Sequence, residues 1–300
     1  VIFDQANYSS QKLSPPNTKH ETPNTKKMRS TLLLCCSLLA LTGHSQVFMR
    51  PFDNAAVMAM GGAGIALPGL STGLNNDAQA GMLTSSGSPG VWAGSAIPYG
   101  LSGWQTAQIQ GVIGLSKGSG LGLDVMHSAT SAYAEQRFRL AYGRRLGENI
   151  FLGGSADVLR VSAQEYGSVT AATFSVSILA QALPKVWLGA KLQNPFQQKI
   201  GDDIPISLFR VGGVWKPSDL FLFTFETEKD LERPAQIKAG FEYRPINLLA
   251  VRAGMRTGTV ARAGFGAGLR LKNGLALDVG SEWHPSLGIT PAAMISWRKE

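Results

Sequence analysis

The stretch GLRLKNGLALDVGSEW, residues 268–283, decides the fold. Leu269 and Leu271 lead into Lys272-Asn273-Gly274, and Leu275, Leu277 and Val279 lead out, all on one side of a period-two alternation. Arg270, Lys272, Asp278 and Glu282 fall on the other side. The Asn-Gly step between the two runs is a hairpin turn, so Arg270 and Asp278 face each other diagonally across two antiparallel strands. One such hairpin would also suit a soluble sheet, so the number of repeats decides. From residue 90 onward the pattern recurs about fourteen times, over 90–97, 104–115, 119–127, 132–142, 149–161, 168–181, 185–193, 204–215, 219–228, 235–244, 247–256, 259–271, 274–284 and 287–298. Each run is near the ~9–11 residues of a tilted membrane strand, and an even number suits a single-chain barrel.

Upstream, residues 1–27 are polar and aperiodic, and MRSTLLLCCSLLALTGHSQ begins at Met28. Arg29, the apolar run 31–41 and the Gly43-His44-Ser45 site before Gln46 have the anatomy of a secretory signal, too short to span a bilayer. The expected organisation is therefore a non-native upstream extension at 1–27, a signal peptide at 28–45, a plug segment at 46–89 and the barrel at 90–300. Both cysteines, Cys35 and Cys36, fall inside the signal, which removes disulfides and cysteine-ligated metals from consideration. Residues 1–45 hold five of the 28 Lys/Arg and two of the 20 Asp/Glu, so the rest carries about +5, dispersed along the chain. No basic stripe for nucleic acid is encoded. After the signal no eighteen consecutive residues are apolar, so no spanning helix is encoded either.

The links repeat in their turn. After even strands they are tight: SKGSG at 116–120, GRRLGEN at 143–149, ALPK at 182–185, KPSD at 216–219, RPIN at 244–247 and KNG at 272–274. After odd strands they are looser, the longest running 193–205, as expected of short periplasmic turns and longer outer loops. Glycine, at 35 of 300 residues, exceeds the usual ~7%. In GFGAGLRL at 264–271, Gly264, Gly266 and Gly268 share the face of Arg262 and Arg270, which leaves lumen space for long side chains or a plug.

Charges on the inward side are the main candidate site. Glu226, Glu228, Lys238, Glu242, Arg244, Arg252, Arg256, Arg262, Arg270, Asp278 and Glu282 all alternate away from the apolar side. A lipid-facing charge costs ~2–4 kcal/mol at mid-membrane, so a shared inward direction is expected. Acidic and basic strands then pair across the ladder, building either a stiffened, salt-bridged lumen or an ion-selective path. The outward face carries Phe221, Phe223, Phe225, Phe241 and Tyr243, with Trp215, Trp283 and Trp297 near strand ends where aromatic girdles sit. The last strand places Ile295 and Trp297 on one face before Arg298-Lys299-Glu300.

Other chemistry is poorly supplied. The 60–83 stretch MGGAGIALPGLSTGLNNDAQAGML starts a G-x-G-x-x-G match at Gly62, but Leu67 takes its third position and no strand–helix unit surrounds it. His284-Pro285-Ser286 offers a histidine and serine two apart, as an outer-membrane lipid hydrolase would use, yet it falls in a predicted turn and no third residue orients His284. No catalytic residue, cofactor or metal site is expected.

MGGAGIAL followed by NNDAQAGML resembles the N-terminal signature of FadL-type and PorV-type outer-membrane barrels, of the form MGGAxxA…NPAGL. FETEKDLERPAQIKAGFEYRP, LLAVRAGM and GLALDVGSEWHPSLG resemble the C-terminal half of PorV-like proteins of Bacteroidota. The resemblance covers roughly 55–298 and implies a plug or hatch inside the barrel, with Gly61, Gly62, Gly64, Asn75, Asn76 and Gly81 shaping it. Ala78-Gln79 stands where the signature has Asn-Pro. The resemblance implies an all-β transmembrane antiparallel barrel in a Gram-negative outer membrane, in contact with membrane lipids and lipopolysaccharide. It implies passage of hydrophobic or small solutes, with a lipophilic small molecule as the expected ligand, or alternatively a non-transporting adaptor whose expected partner is a protein of a type IX secretion or envelope complex.

Overall fold

Alternation of lipid-facing and lumen-facing residues closes the sheet on itself. The computed structural model describes residues 54–71, 73–83, 87–201, 205, 207–230 and 233–299. The sequence expectations for 1–27 and 28–45 lie outside these residues. Fourteen antiparallel strands follow in chain order: β1 (Pro89–Ala96), β2 (Gln105–Ser116), β3 (Ser119–Ala129), β4 (Tyr133–Leu146), β5 (Ile150–Ala163), β6 (Gly167–Leu183) and β7 (Val186–Gln193). Then come β8 (Leu208–Trp215), β9 (Phe221–Asp230), β10 (Gln236–Ile246), β11 (Leu249–Arg256), β12 (Arg262–Arg270), β13 (Leu275–His284) and β14 (Gly288–Arg298). Each strand pairs with its chain neighbours, and β1 pairs with β14 from Gly90↔Arg298 to Ala96↔Ala292, which closes the barrel. Closure leaves no edge with unpaired backbone groups, the condition for a sheet surrounded by hydrocarbon.

The two faces differ as the alternation requires. On β9, Thr224 and Glu226 point inward and are buried, while Phe221 and Phe225 are exposed. Ile109, Leu123, Phe225, Ile237 and Val279 are each more than half exposed around the outside. In water such a belt would be an aggregation surface; in a bilayer it is the lipid contact. At one end of β8–β10, Trp215, Phe223, Phe221 and Tyr243 form a stacked ladder with centroid distances of 5.5, 6.3 and 4.7 Å.

The links correct the sequence reading in part. GRRLGEN is not a seven-residue turn: β4 continues through Leu146 and only 147–149 connect it to β5. The Gly-rich reading missed that Arg144 and Arg145 still pair with Leu152 and Phe151. At the opposite end three links, 130–132, 164–166 and 285–287, are also only three residues long. The contrast between ends rests on 97–104 and 194–207, not on every odd link. The eighth strand starts at Leu208, not 204, and the twelfth spans Arg262–Arg270, not 259–271.

Inside the barrel sits the 54–83 segment. It contains one helical turn, α1 (Ala55–Ala59), capped by the Asn54 side chain accepting from Val57 N–H, and a 3-10 turn at Asp77–Met82. All of α1 is buried, as are Met60 through Leu67. We call this segment the hatch.

Candidate functional site

The hatch is seated by shape and by hydrogen bonds. Shape comes from wall glycines. A Cβ added at Gly240, Gly254 or Gly264 would overlap the hatch backbone at Met60 or Met58. At Gly143 it would stand 2.6 Å from the Asp77 carbonyl oxygen, and at Gly189 2.5 Å from that of Ile65. The glycine excess is therefore the imprint of the hatch on the wall. Gly268 is the exception among the predicted trio, since it makes room for Asp278 and Arg252. Replacing Gly254 with valine should unseat the hatch at a cost of about 3 kcal/mol, because a backbone cannot yield as a side chain does. Limited proteolysis of 54–83 should speed up in Gly254→Val. Gly213→Val, which meets only Leu188 and the Trp187 carbonyl oxygen at 3.4 Å or more, should leave it unchanged.

Hydrogen bonds come from buried lumen side chains. Glu226 Oε2 accepts from Gly64 N–H (2.9 Å) and Ile65 N–H (3.0 Å), while Oε1 accepts from Arg210 (2.6 Å) and Lys238 (3.1 Å). Thr224 donates to the Ala63 carbonyl at 3.0 Å. Gln110 accepts from Leu74 N–H at 3.0 Å and donates to Asp124 at 2.8 Å. Asp77, the hatch's one acid between 60 and 83, takes Lys191 at 3.0 Å and Ser175 at 2.9 Å. Charge-assisted bonds of this kind are roughly twice as strong as neutral ones.

Each hatch residue singled out from the sequence has a place. Gly61 has φ +70° and lies against the Met255 backbone, a conformation and a clearance that only glycine satisfies together. The Gly62 carbonyl accepts from Arg210 at 3.5 Å, and a Cβ on Gly81 would meet the Arg144 backbone at 2.7 Å. Asn75 accepts from Asn54 Nδ2 at 3.0 Å. Asn76 caps the 3-10 turn and donates to the carbonyls of Ile65 (3.0 Å) and Ile178 (3.1 Å). Gln79 went unremarked as an organiser, yet it uses its whole amide. Its oxygen accepts from Asn75 N–H and Asn76 N–H (2.7 and 2.8 Å), and its nitrogen donates to the carbonyls of Leu67 and Gly69 (2.8 and 2.7 Å). This glutamine stands where the resembled signature has proline.

The predicted lumen charges all point inward, and they pair in three groups. Lys238 bridges Glu226 and Glu228; Glu242 takes Arg244 (2.7 Å) and Arg252 (2.6 Å); Arg252 reaches Asp278 (2.7 Å). Glu282 holds Arg256 and Arg262. The diagonal pair Arg270–Asp278 exists at 3.7 Å, but it is the weaker contact, and Arg252 is the main partner of Asp278. A charge swap between Arg270 and Asp278 would therefore set two arginines together. Sequence reasoning missed a second ionic group on β3–β5, with Arg137–Asp124 at 3.2 Å and Arg139–Asp157 at 2.6 Å. The alternation Arg137-Phe138-Arg139-Leu140 carried the signal for it.

Charge is absent from one sector. The inward face over β14–β1 reads Thr290, Ala292, Met294 and Ser296 on β14 and Gly90, Trp92, Gly94 and Ala96 on β1, apolar at its middle and polar but uncharged at Thr290 and Ser296. Ala292, Met294, Trp92 and Ala96, with Val112 and Ala141, join the hatch residues Met58, Leu70, Leu74 and Leu83 in one buried apolar cluster that runs from Ala96 at one end to Leu83 near the other. A separate apolar cluster joins Met126 of β3 and Leu159 and Val161 of β5 to Ile200 of the link after β7, at the end where the odd strands finish. A cavity of about 230 Å³ at the same end is lined by Arg233, Gln236, Arg256, Thr257, Arg262 and His284 among others.

Searches against known structures match this arrangement over most of its length. The toluene transporter TodX of Pseudomonas putida superposes with a TM-score of 0.64 at 11% identity, covering 85% of this chain and 100% of that one. The toluene transporter TbuX of Ralstonia pickettii gives 0.62 at 12% identity, with the same coverage. A Pseudomonas aeruginosa FadL homologue gives 0.58 at 11%, covering 83% and 98%. This chain shares their fold. No family model matches the sequence, and no curated protein does.

His284 is a turn residue in this fold. Its Nδ1 accepts from the backbone N–H groups of Ser286 and Leu287, each at 3.2 Å, and its ring meets Tyr99 edge-on at 5.9 Å. An imidazole that accepts at Nδ1 carries its proton on Nε2, so the nitrogen that usually activates a serine is not a free base in this turn.

Proposed function

We propose that this chain is an outer-membrane channel for small, uncharged hydrophobic solutes, and that the hatch is its gate. The observation that carries the reading is the charge-free sector of β14–β1 packed against the apolar side of the hatch. Displacing the hatch from its hydrogen-bonded side orphans buried polar groups at ~1–3 kcal/mol each. On the apolar side only dispersion contacts are exchanged, and a lipophile supplies equivalent ones. The gate therefore opens along β14–β1, where the wall is uncharged. The names of the structural neighbours, toluene transporters among them, agree with this class of cargo.

Uptake of a labelled monoaromatic hydrocarbon by cells expressing the chain tests the proposal. Ala96→Asp combined with Ala292→Asp puts two charges side by side in the lane and should cut uptake ~10-fold, because a solute cannot displace a solvated charge. Heat-modifiable migration on gels reports that the variant barrel is folded. Uptake no faster than in cells lacking the chain, or equal in the folded variant, sinks the reading. The second reading, a PorV-like adaptor of a type IX secretion complex, draws on the same filled lumen, which passes nothing while the hatch is seated. Native mass spectrometry of gently extracted protein separates the two: a bound lipophile supports the channel, and a stoichiometric protein partner without one supports the adaptor.

A further inference from the structure

The rim formed by the short turns, on the side of the barrel where β1 begins and β14 ends, is unevenly charged. Lys117 sits in the β2–β3 turn, Arg144 and Arg145 at the end of β4, Lys185 in the β6–β7 turn, Lys216 after β8 and Lys272 in the β12–β13 turn. Arg298 and Lys299 complete the circuit beside the end of β14. Against these eight cations, the described residues of this rim supply Glu148 and Asp219, and Asp219 is taken by Lys216 at 3.0 Å. On the opposite rim, among the described residues, Glu135, Glu165 and Asp230 stand against Arg160, Lys199, Lys229 and Arg233, a much smaller excess.

Two features say what the cations meet. They lie around the circumference instead of in one patch, as a partner that surrounds the barrel requires. Five of the eight also lie one or two residues from an outward apolar side chain: Lys117 from Leu115, Arg144 from Tyr142, Lys185 from Leu183, Lys272 from Leu271 and Lys299 from Trp297, these apolar residues all at least 40% exposed. An apolar group in the acyl region with a cation just beyond it matches a lipid's own division into tail and phosphate. We propose that this rim is a docking ring for anionic phospholipid headgroups, holding phosphates of the leaflet into which the short turns emerge. The inference is independent of what the lumen carries.

The test reconstitutes the full chain in nanodiscs of mixed phosphatidylglycerol and phosphatidylcholine and counts the lipids retained by native mass spectrometry. The native chain should retain phosphatidylglycerol over phosphatidylcholine at least ~3-fold above the bulk ratio, and 0.5 M salt should weaken the preference, since exposed charges are screened within a Debye length of ~8 Å or less. Lys117→Gln, Arg144→Gln, Lys272→Gln and Lys299→Gln together should bring the ratio close to one. Arg160→Gln with Lys199→Gln, on the other rim, should not. Heat-modifiable migration confirms folding of both variants. Lack of preference in the native chain overturns the proposal, as does full preference in the folded four-site variant. An acidic protein captured in place of lipid overturns it too.

Discussion

Replacing Arg252 with alanine should lower the unfolding free energy of the barrel by about 3–5 kcal/mol. Arg252 is 1% exposed and stands between Glu242 and Asp278, at 2.6 and 2.7 Å. Both carboxylates are themselves buried, at 4% and 1% exposure. Removing the guanidinium leaves two like charges in a space without water, with Arg244 at one end and the distant Arg270 at the other. Urea unfolding in lipid vesicles, followed by tryptophan fluorescence, measures the loss. The triple variant Arg252→Met, Glu242→Gln, Asp278→Asn should recover part of it, since the fully buried charges are gone and Arg244 and Arg270, which lose their carboxylates, are both partly exposed. A loss below ~1 kcal/mol in Arg252→Ala would mean that water enters this part of the lumen, and the packed-lumen reading would fall with it.

Gln79→Leu should release the hatch while leaving the barrel intact. The side-chain amide satisfies four backbone groups, the N–H of Asn75 and Asn76 and the carbonyls of Leu67 and Gly69. Leucine has a similar volume but no hydrogen-bonding atom, and a buried orphaned group costs ~1–3 kcal/mol. Four of them exceed what the apolar contacts of the 67–79 turn can return, so the hatch should leave its seat or refold so that its backbone reaches water. Hydrogen exchange of the Gly64 and Ile65 amides, both bound to Glu226, should accelerate ~100-fold or more, and exchange in β9 and β10 should barely change. Gln79→Glu, which keeps the two acceptor bonds, should fall between. Unchanged protection in Gln79→Leu would show that the wall glycines alone seat the hatch.

These two residues also mark the boundary between local and tertiary information. Arg252 was legible because a strand has one periodicity: residues i and i+2 share a face, and a lipid-facing charge is so costly that its direction follows from the pattern. The same rule placed the fourteen strands to within a few residues, as in β13 at Leu275–His284 against 274–284 read from the sequence. It gave the direction of Asp278 but not its main partner, because Arg252 reaches it from β11 across Gly268 of β12, beyond the single hairpin that places Arg270 on the diagonal.

Gln79 was not legible at all. A buried glutamine in a nearly uncharged, glycine-rich segment carries no periodicity, and its four partners lie up to twelve residues away along the chain. The sequence alone determined the barrel: alternation, tight turns and lumen-facing charge are each local, and closure follows from the cost of an unpaired edge in hydrocarbon. It also showed glycine in excess on the inward face. Only the tertiary structure decided what that excess is for. Gly254 and Gly264 are separated from Met58 and Met60 by about 200 residues, and their missing Cβ atoms acquire meaning only when the chain returns to pack against them. Packing of one backbone against another depends on distances that no linear pattern records.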